Sequence, residues 1–360
     1  MATSRISITQ SLTLLILAVG LTNHVLIIPL VLDASHRDAW VSTLYSIPPL
    51  ILWTTLIYWI MKMTKQQSLF DWFKSRYNPV VAWMVVTPLL LLTLFICFVT
   101  LRDTSAWTKT TYLQKTPFPL TASLYMLFSF YAAHKGLRTI AIAAGILLPG
   151  VIAFGLFVMT VNFQFKDYSY LFPVFTQGQK PILKGTMYTL GGLVEFVLLL
   201  AFQQHMNKPL RYWILLILML SVTGLVFGPL IASIAIFGPY ESADQRYPAF
   251  EQWRMVMIGK FIAHLDFLSI YQWLSGSLIR ISLALFLFFD LLRFRSGIAR
   301  TIGMIVFSIL QVVAVSQSSL SDAKFFHFLQ EYYFPPVMVF FYLFPFVLLL
   351  LIAMRKRESS

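Results

Sequence analysis

The chain has 360 residues, of which 58% are hydrophobic and 11% are charged, and its formal net charge is +13. A soluble domain carries about 25% charged residues, so the composition excludes a soluble domain, a disordered chain and a coiled coil. The single cysteine, Cys97, excludes an internal disulfide and a thiolate metal cluster. The basic residues lie between apolar stretches rather than in one patch, which indicates membrane topology and argues against a nucleic-acid partner. The composition therefore predicts a multi-pass protein in a lipid bilayer.

Ten stretches meet or approach the roughly 20 apolar residues that a helix needs to cross a bilayer. Eight contain no charged residue, and the other two contain one each, Glu195 in the sixth and Arg280 in the eighth. The stretches are residues 6–32, 39–61, 77–101, 116–134, 139–165, 185–205, 212–240, 267–289, 301–321 and 332–354. They predict an all-α integral membrane protein with ten transmembrane helices in one transmembrane domain, residues 1–360.

The distribution of basic residues predicts the orientation in the membrane. An even number of helices places both termini on the same side. A cytoplasmic N-terminus assigns the basic connections around residues 62–76, 135–138 and 293–300 to the cytoplasm and leaves the outer connections nearly neutral. We therefore expect both termini in the cytoplasm. The longest outer connection, residues 241–266, alternates aromatic and charged side chains, which predicts a short amphipathic helix on the outer face.

The predicted helices divide into two sets of five, residues 7–162 and 180–354, and the first helix of each set is interrupted by glycine. Interrupted helices in matching places of two halves are typical of the central site of a transporter. Lipid cannot satisfy the backbone groups that an interruption frees, so they must face a ligand, an ion or water. The alternative is that the glycines only permit close packing of helices.

The candidate ligand-binding residues lie at these two interruptions, in helices one and six. They are Gly20, Thr22, Asn23, His24, Tyr188, Gly191, Gly192 and Glu195.

Four motifs follow one another along the chain. They are Ile6-Ser7-Ile8-Thr9-Gln10, the Gly20 to Pro29 spacing, Lys115-Thr116-Pro117, and the outer segment Gln245-Arg246-Tyr247-Pro248-Ala249-Phe250-Glu251 with Asp266-Phe267-Leu268 and Gln272-Trp273 after it. Each motif is weak alone. Their order and the ten predicted helices resemble the spore germination permeases, the B subunits of nutrient germinant receptors in endospore-forming bacteria. The resemblance covers essentially the whole chain.

This resemblance implies the amino acid–polyamine–organocation transporter superfamily and its LeuT-like five-plus-five inverted repeat. It further implies the spore inner membrane, a membrane-anchored A subunit and a lipoprotein C subunit as partners, and a small nutrient, usually an amino acid, sensed in the central pocket. Transporters of the superfamily carry a glycine-rich break in helix one whose N–H groups bind a carboxylate. This chain has a single glycine there, Gly20, so the side chains of Thr22 and Asn23 are candidates to replace that clamp.

Glu195 and Arg280 are the charges expected within the membrane. An ionisable residue in a span is a functional-site hypothesis, so Glu195 could bind a ligand ammonium group or couple a proton or cation; otherwise it is a helix cap or an ion-pair partner. Arg280 could pair with Glu195, although counting helical rises places it about two turns nearer the cytoplasm. It could instead act as a tethered cation between helices one and eight, as sodium-coupled relatives suggest, or snorkel to the membrane surface. His24 could sense pH or be an interfacial polar residue.

The sequence contains no metalloprotease, hydrolase, P-loop or dinucleotide-binding motif. It therefore predicts no catalytic residues, no metal site and no cofactor, and the protein is not expected to be an enzyme. Three functions remain. A ligand-sensing receptor subunit is favoured by the resemblance, a secondary transporter of amino acids or related solutes is favoured by the architecture, and a helper or channel-forming subunit without a ligand site is the third.

Overall fold

The computed structural model describes residues 5–259, 263–294, 297–317 and 320–357, with residues 355–357 described by their backbone only. Ten long helices, α1 to α10, lie at the positions of the ten predicted stretches. Residues 318 and 319 of the ninth stretch and residues 260–262 of the outer connection lie outside the described residues. The uninterrupted helices are α3 (Pro79–Thr111), α4 (Phe118–Lys135), α5 (Leu137–Val161), α7 (Tyr212–Phe237), α8 (Leu268–Leu291) and α9 (Ile298–Gln317).

The other four helices consist of several segments. They are α1 (Ile8–Leu21, π-helical Thr22–Ile27 and Ile28–Ser35), α2 (Ala39–Tyr45 and Ile47–Met63), α6 (Gln179–Leu193, 3₁₀-helical Val194–Val197 and Leu198–Phe202) and α10 (Asp322–Phe328, π-helical Leu329–Tyr333 and Phe334–Arg357). The predicted interruptions of helices one and six are confirmed. They are changes of the hydrogen-bond pattern within a continuous helix rather than unwound loops, so fewer backbone groups are freed than the sequence suggested. In α1 the change precedes Pro29, which has no N–H to donate to the preceding turn.

Among the described residues, eight helical runs are long and apolar enough to cross a membrane. The first, Ile8–Met63, has 56 residues and contains both α1 and α2, which are separated by a turn in which His36 has a φ of 43°. Helix α4, with 18 residues, falls outside these runs, but it packs against α3, α8 and α9 as part of the same bundle. The chain is thus a multi-pass, all-helical membrane protein.

Helix boundaries follow local sequence signals. Ser7 and Gln10 form a capping box at the start of α1, each side chain bonding to the backbone N–H of the other residue. Asn78 caps α3 through Val81 N–H. Gly136, with a φ of 106°, allows the sharp reversal between α4 and α5 that an L side chain would strain.

Helix α8 lies at the centre of one side of the bundle, against α1, α3, α4 and α5, whereas α6 packs against the outer half of α1, α2 and α10. Two short helices, Pro239–Asp244 and Pro248–Arg254, follow α7 on the side of the bundle that the sequence predicts to be the outer one. The second confirms the helix expected there, but its Phe250 and Trp253 are buried in an aromatic cluster with Trp107 of α3 and Trp273 of α8. This helix therefore inserts its aromatic side into the bundle instead of lying on its surface.

Candidate ligand-binding site

A buried ion pair joins four helices at the centre of the protein. Arg280 on α8 donates from Nη1 and Nη2 to the two carboxylate oxygens of Glu195 on α6, at 2.5 and 2.6 Å. The two side chains are 2% and 0% exposed. Arg280 also donates from Nε to Thr100 Oγ1 on α3 at 2.7 Å and from Nη1 to the carbonyl oxygen of Ala18 on α1 at 3.0 Å. One guanidinium thus connects α1, α3 and α6 to α8.

This pairing occupies both carboxylate oxygens of Glu195. Oε2 also accepts a hydrogen bond from Thr22 Oγ1 of α1 at 3.2 Å. The expected offset of two turns between Glu195 and Arg280 is wrong for the side chains, because the arginine side chain reaches the carboxylate directly. In this conformation Glu195 is an ion-pair partner, and a ligand ammonium group would have to compete with Arg280 for it.

Three irregular helical segments meet around this pair. The π-helical segment of α1 contributes Thr22 and Asn23, and the 3₁₀ segment of α6 contributes Glu195. The π-helical segment of α10 ends at Tyr333, which is buried and lies close enough to interact electrostatically with Glu195. The α10 segment had no glycine to reveal it in the sequence. Because π-helical segments are frequent at functional sites, their convergence marks this centre as the candidate binding site.

The glycine pair of α6 allows helices to approach closely. A Cβ on Gly192 would lie 2.5 Å from Asn23 Oδ1 and 2.6 Å from Ile27 Cγ1, and one on Gly191 would lie 3.2 Å from the carbonyl oxygen of Phe334 on α10. These distances support the packing role of the glycines. Asn23 donates from Nδ2 to the carbonyl oxygens of Val19 and Gly192, at 2.8 and 3.3 Å, whereas its buried Oδ1 has no hydrogen-bond partner among the described residues.

The remaining candidate residues lie away from the ion pair. Gly20 and His24 face α7, where a Cβ on Gly20 would lie 3.1 Å from Leu225 Cδ1 and the His24 ring nitrogen Nδ1 lies 3.3 Å from the Leu225 carbonyl oxygen. Tyr188 donates its hydroxyl to the carbonyl oxygen of Gln330 on α10 at 3.2 Å, on the outer side of the centre. The structure therefore brings Thr22, Asn23, Gly192 and Glu195 together with Arg280, and does not bring Gly20 or His24 to that place.

A second charge cluster, which we call the outer lattice, consists of Arg102, Asp103, Arg246 and Asp322. Arg102 Nη1 donates to Asp322 Oδ1 at 3.0 Å, and Arg246 Nη2 donates to Asp103 Oδ1 at 2.6 Å. Arg246 Nε lies 3.2 Å from Asp322 Oδ2, which joins the two pairs. Burial and the Asp103 charge raise the pKa of Tyr247, so its hydroxyl stays protonated and donates to Asp103 Oδ1 at 3.3 Å. The lattice connects α3, the outer segment and the start of α10.

The sequence did not predict the outer lattice, because the third predicted apolar stretch stops just before its first charged residue. Helix α3 continues to Thr111, so Arg102 and Asp103 lie within the helix and are buried. The signal was an adjacent opposite-charge pair directly after an apolar stretch, but its partners are more than a hundred residues away along the chain.

Several helix ends on the opposite side of the bundle, which the charge distribution predicts to be cytoplasmic, are also connected, in a set of contacts that we call the inner latch. Ile6 N–H donates to the carbonyl oxygen of His205 at 2.8 Å, and Asn207 N–H donates to that of Ile6 at 2.9 Å. His205 Nε2 lies 2.9 Å from Asp290 Oδ2 at the end of α8, and Gln203 Nε2 donates to the carbonyl oxygen of Gln67 after α2 at 2.8 Å. The polar end of the sixth stretch therefore binds the N-terminal segment, α2 and α8 together. The outer lattice and the inner latch lie on opposite sides of the central ion pair.

Comparison with known proteins identifies the family. A profile described as "Spore germination protein" matches residues 5–325, most of the chain. The chain belongs to the spore germination protein family. Over 350 residues it is 37% identical to "Spore germination protein XB" of Bacillus anthracis, covering 97% of this chain and 98% of that protein. It is 24% identical over 294 residues to "Spore germination protein KB" of Bacillus subtilis (strain 168), covering 79% and 77% of the two chains. The family expected from the motifs is confirmed.

The fold is similar to that of MhsT, whose crystal structure was determined in complex with L-phenylalanine. The two share a TM-score of 0.53 and 12% identity over 97% of this germination protein and 98% of MhsT. At that identity the likeness shows the fold alone, and it confirms the LeuT-like architecture expected from the sequence.

Proposed function

We propose that this germination permease is the membrane subunit of a nutrient germinant receptor, and that it senses a small molecule, an amino acid, to trigger spore germination. The observation that carries the proposal is the meeting of three irregular helical segments around the buried ion pair of Glu195 and Arg280. Buried polar groups in a membrane are costly and are retained where they serve a function. The family membership and the shared fold with an amino-acid-bound protein support the same assignment.

The partners and the location of the proposed receptor follow from the family resemblance. They are the A and C subunits and the spore inner membrane. The proposed orientation, with both termini in the cytoplasm, rests on the distribution of basic residues. The inner latch gives a route for a signal, because ligand-induced movement of α6 would displace the N-terminal segment bound to it.

In the proposed site, the ligand contacts come from the π-helical segment of α1. The unpartnered Asn23 Oδ1 is an acceptor suited to an ammonium group, and Thr22 is the adjacent hydroxyl. Because Asn23 contacts α6 at Gly192, a ligand that separates these two helices also strains the ion pair one turn further along. Binding and helix movement are thereby coupled.

The test replaces Asn23 by alanine, which removes the acceptor without adding bulk beside Gly192. Spores carrying Asn23→Ala should contain normal amounts of the protein but require a higher nutrient concentration, by about 10-fold or more if one hydrogen bond to a charged group is lost. The matched control is Gln311→Ala, which removes another buried amide with an unpartnered oxygen, on α9. An unchanged dose response in Asn23→Ala would overturn the proposed site.

A secondary transporter of amino acids or related solutes is the alternative, favoured by the likeness to the fold of MhsT and by the presence of polar connections on both sides of the centre. Uptake into proteoliposomes distinguishes the two functions. A nutrient response without net flux supports sensing, whereas robust counterflow of the labelled nutrient supports transport.

A further inference from the structure

A cavity of about 320 Å³ lies beside the outer lattice, between α3, α9, the start of α10 and Tyr247 of the outer segment. Its volume is at the lower end of the range for small-molecule sites, which is about 300–1,000 Å³. None of its lining residues belongs to the central site proposed above.

The polar groups of this outer cavity carry both signs of charge. Arg102 and Lys109 lie on α3 about two turns apart, and Asp322 lies at the start of α10. Lys109 forms no hydrogen bond or ion pair with any described residue, so its ammonium group has no direct partner among them. Ser316 Oγ, in the cavity wall, is buried without a hydrogen-bond partner among the described residues.

The balance of charge favours an anionic group at this place. The outer lattice and Lys109 together contain three cations, Arg102, Lys109 and Arg246, against two carboxylates, Asp103 and Asp322. Arg102 is 7% exposed, so a carboxylate that reaches it is largely removed from competing water. Asp322 is 42% exposed and can accept from a second, cationic group of the same molecule.

We propose that the cavity is an outer binding site for a zwitterionic amino acid, with the carboxylate at Lys109 and Arg102 and the ammonium group at Asp322. The ligand class rests on the proposed function, and the site is additional to the central one. Arg102 Nη1 now donates to Asp322, and Nη2 donates to the carbonyl oxygen of Leu320 at 2.9 Å. A ligand carboxylate competes with Asp322 for Arg102, so occupancy weakens the connection between α3 and α10. The outer site thus couples capture of the nutrient to release of the outer lattice.

The experiment places a reporter thiol in the cavity by Ser316→Cys in the purified protein in nanodiscs. Labelling by an anionic and by a cationic methanethiosulfonate reagent of similar size is followed by peptide mass spectrometry, and the buried Cys97 serves as an internal control. The anionic reagent should react faster. Lys109→Gln in the same background should lower the anionic-to-cationic rate ratio by about fivefold, because it removes one unit charge at short range. Lys115→Gln, at an exposed lysine outside the cavity, should leave the ratio nearly unchanged.

Binding is then tested by protection of this thiol. Glycine and sodium acetate should slow labelling at matched ionic strength, whereas methylammonium chloride should have a weaker effect, and Lys109→Gln should remove the protection. Equal protection by sodium chloride would indicate an unselective anion site and overturn the proposal. Protection that persists in Lys109→Gln, or a lack of protection in the parent Ser316→Cys protein, would overturn it as well. If the parent protein shows no protection but responds normally to nutrient, the outer site is wrong and the central site stands. If protection is intact but Asn23→Ala leaves the nutrient response unchanged, the central site alone is wrong.

Discussion

Breaking the central ion pair from one side should destabilise the protein strongly. Glu195→Gln keeps the shape of the side chain but removes the charge that balances Arg280. The guanidinium would remain buried with hydrogen bonds to Thr100 and to the backbone of Ala18 and without a counter-ion. Removing one partner of a buried pair costs about 3–5 kcal/mol, and solvent screening does not reduce this because the two side chains are 2% and 0% exposed. Arg280→Gln should cost a similar amount.

The double variant Glu195→Gln/Arg280→Gln should be more stable than either single variant. It leaves no unpaired charge, so the remaining loss is that of the hydrogen bonds to the neighbouring groups, about 0.5–1.5 kcal/mol each. The free energy of unfolding, measured by denaturant titration in mixed micelles, and the abundance in the membrane should both recover. The control pair is Glu251 with Arg254, whose arginine is 62% exposed. The same cycle there should change stability by less than about 1 kcal/mol.

Additivity would refute this reasoning. If the double variant loses the sum of the two single losses, the residues do not interact as the geometry indicates. If Glu195→Gln has normal abundance and stability but a shifted nutrient response, Glu195 contacts the ligand instead of serving as the partner of Arg280.

The other predictions concern packing, the outer lattice and orientation. Gly192→Ala should lower membrane abundance, because its Cβ would lie 2.5 Å from Asn23 Oδ1. Gly224→Ala, whose Cβ would have no neighbouring atom within 4 Å, should be neutral, and equal abundance of the two variants would contradict the packing argument. Arg246→Ala leaves Asp103 buried without its closest cation and should lower thermal stability more than Arg254→Ala at an exposed pair. If both variants lower it by a similarly small amount, the outer lattice does not stabilise the protein. A C-terminal reporter that is active only outside the cytoplasm should give no signal, and a strong signal would invert the predicted orientation.

The helices were predictable because each membrane span is a contiguous apolar stretch, and contiguity is visible in a sequence. The interruption of α6 was visible for a similar reason, since Gly191 and Gly192 are adjacent and are followed by Glu195. The form of the interruptions was not predictable, because glycine permits both unwinding and close packing. The contact of Gly192 with Asn23, a residue 169 positions away, selects the second.

The connections at the two ends of the bundle were not predictable from one sequence. Asp103 and Arg246 lie far apart in the chain, and the pairing depends on how the outer segment folds back onto α3. The inner latch depends on backbone groups of Ile6 and His205, which carry no signature in the side-chain sequence. The depth of Arg280 was misjudged because residue counting places Cα atoms and ignores the length of the arginine side chain.

The central claim is that a nutrient binds where the irregular segments of α1, α6 and α10 meet. A density map of the receptor in a membrane, at a nutrient concentration that saturates germination, tests it most directly. The account predicts nutrient density within hydrogen-bond distance of Asn23 Oδ1 and next to Glu195, with α1 and α6 further apart than at their contact through Gly192. Nutrient density resolved only on a partner subunit or only in the outer cavity, with the contact between Asn23 and Gly192 unchanged, would contradict it.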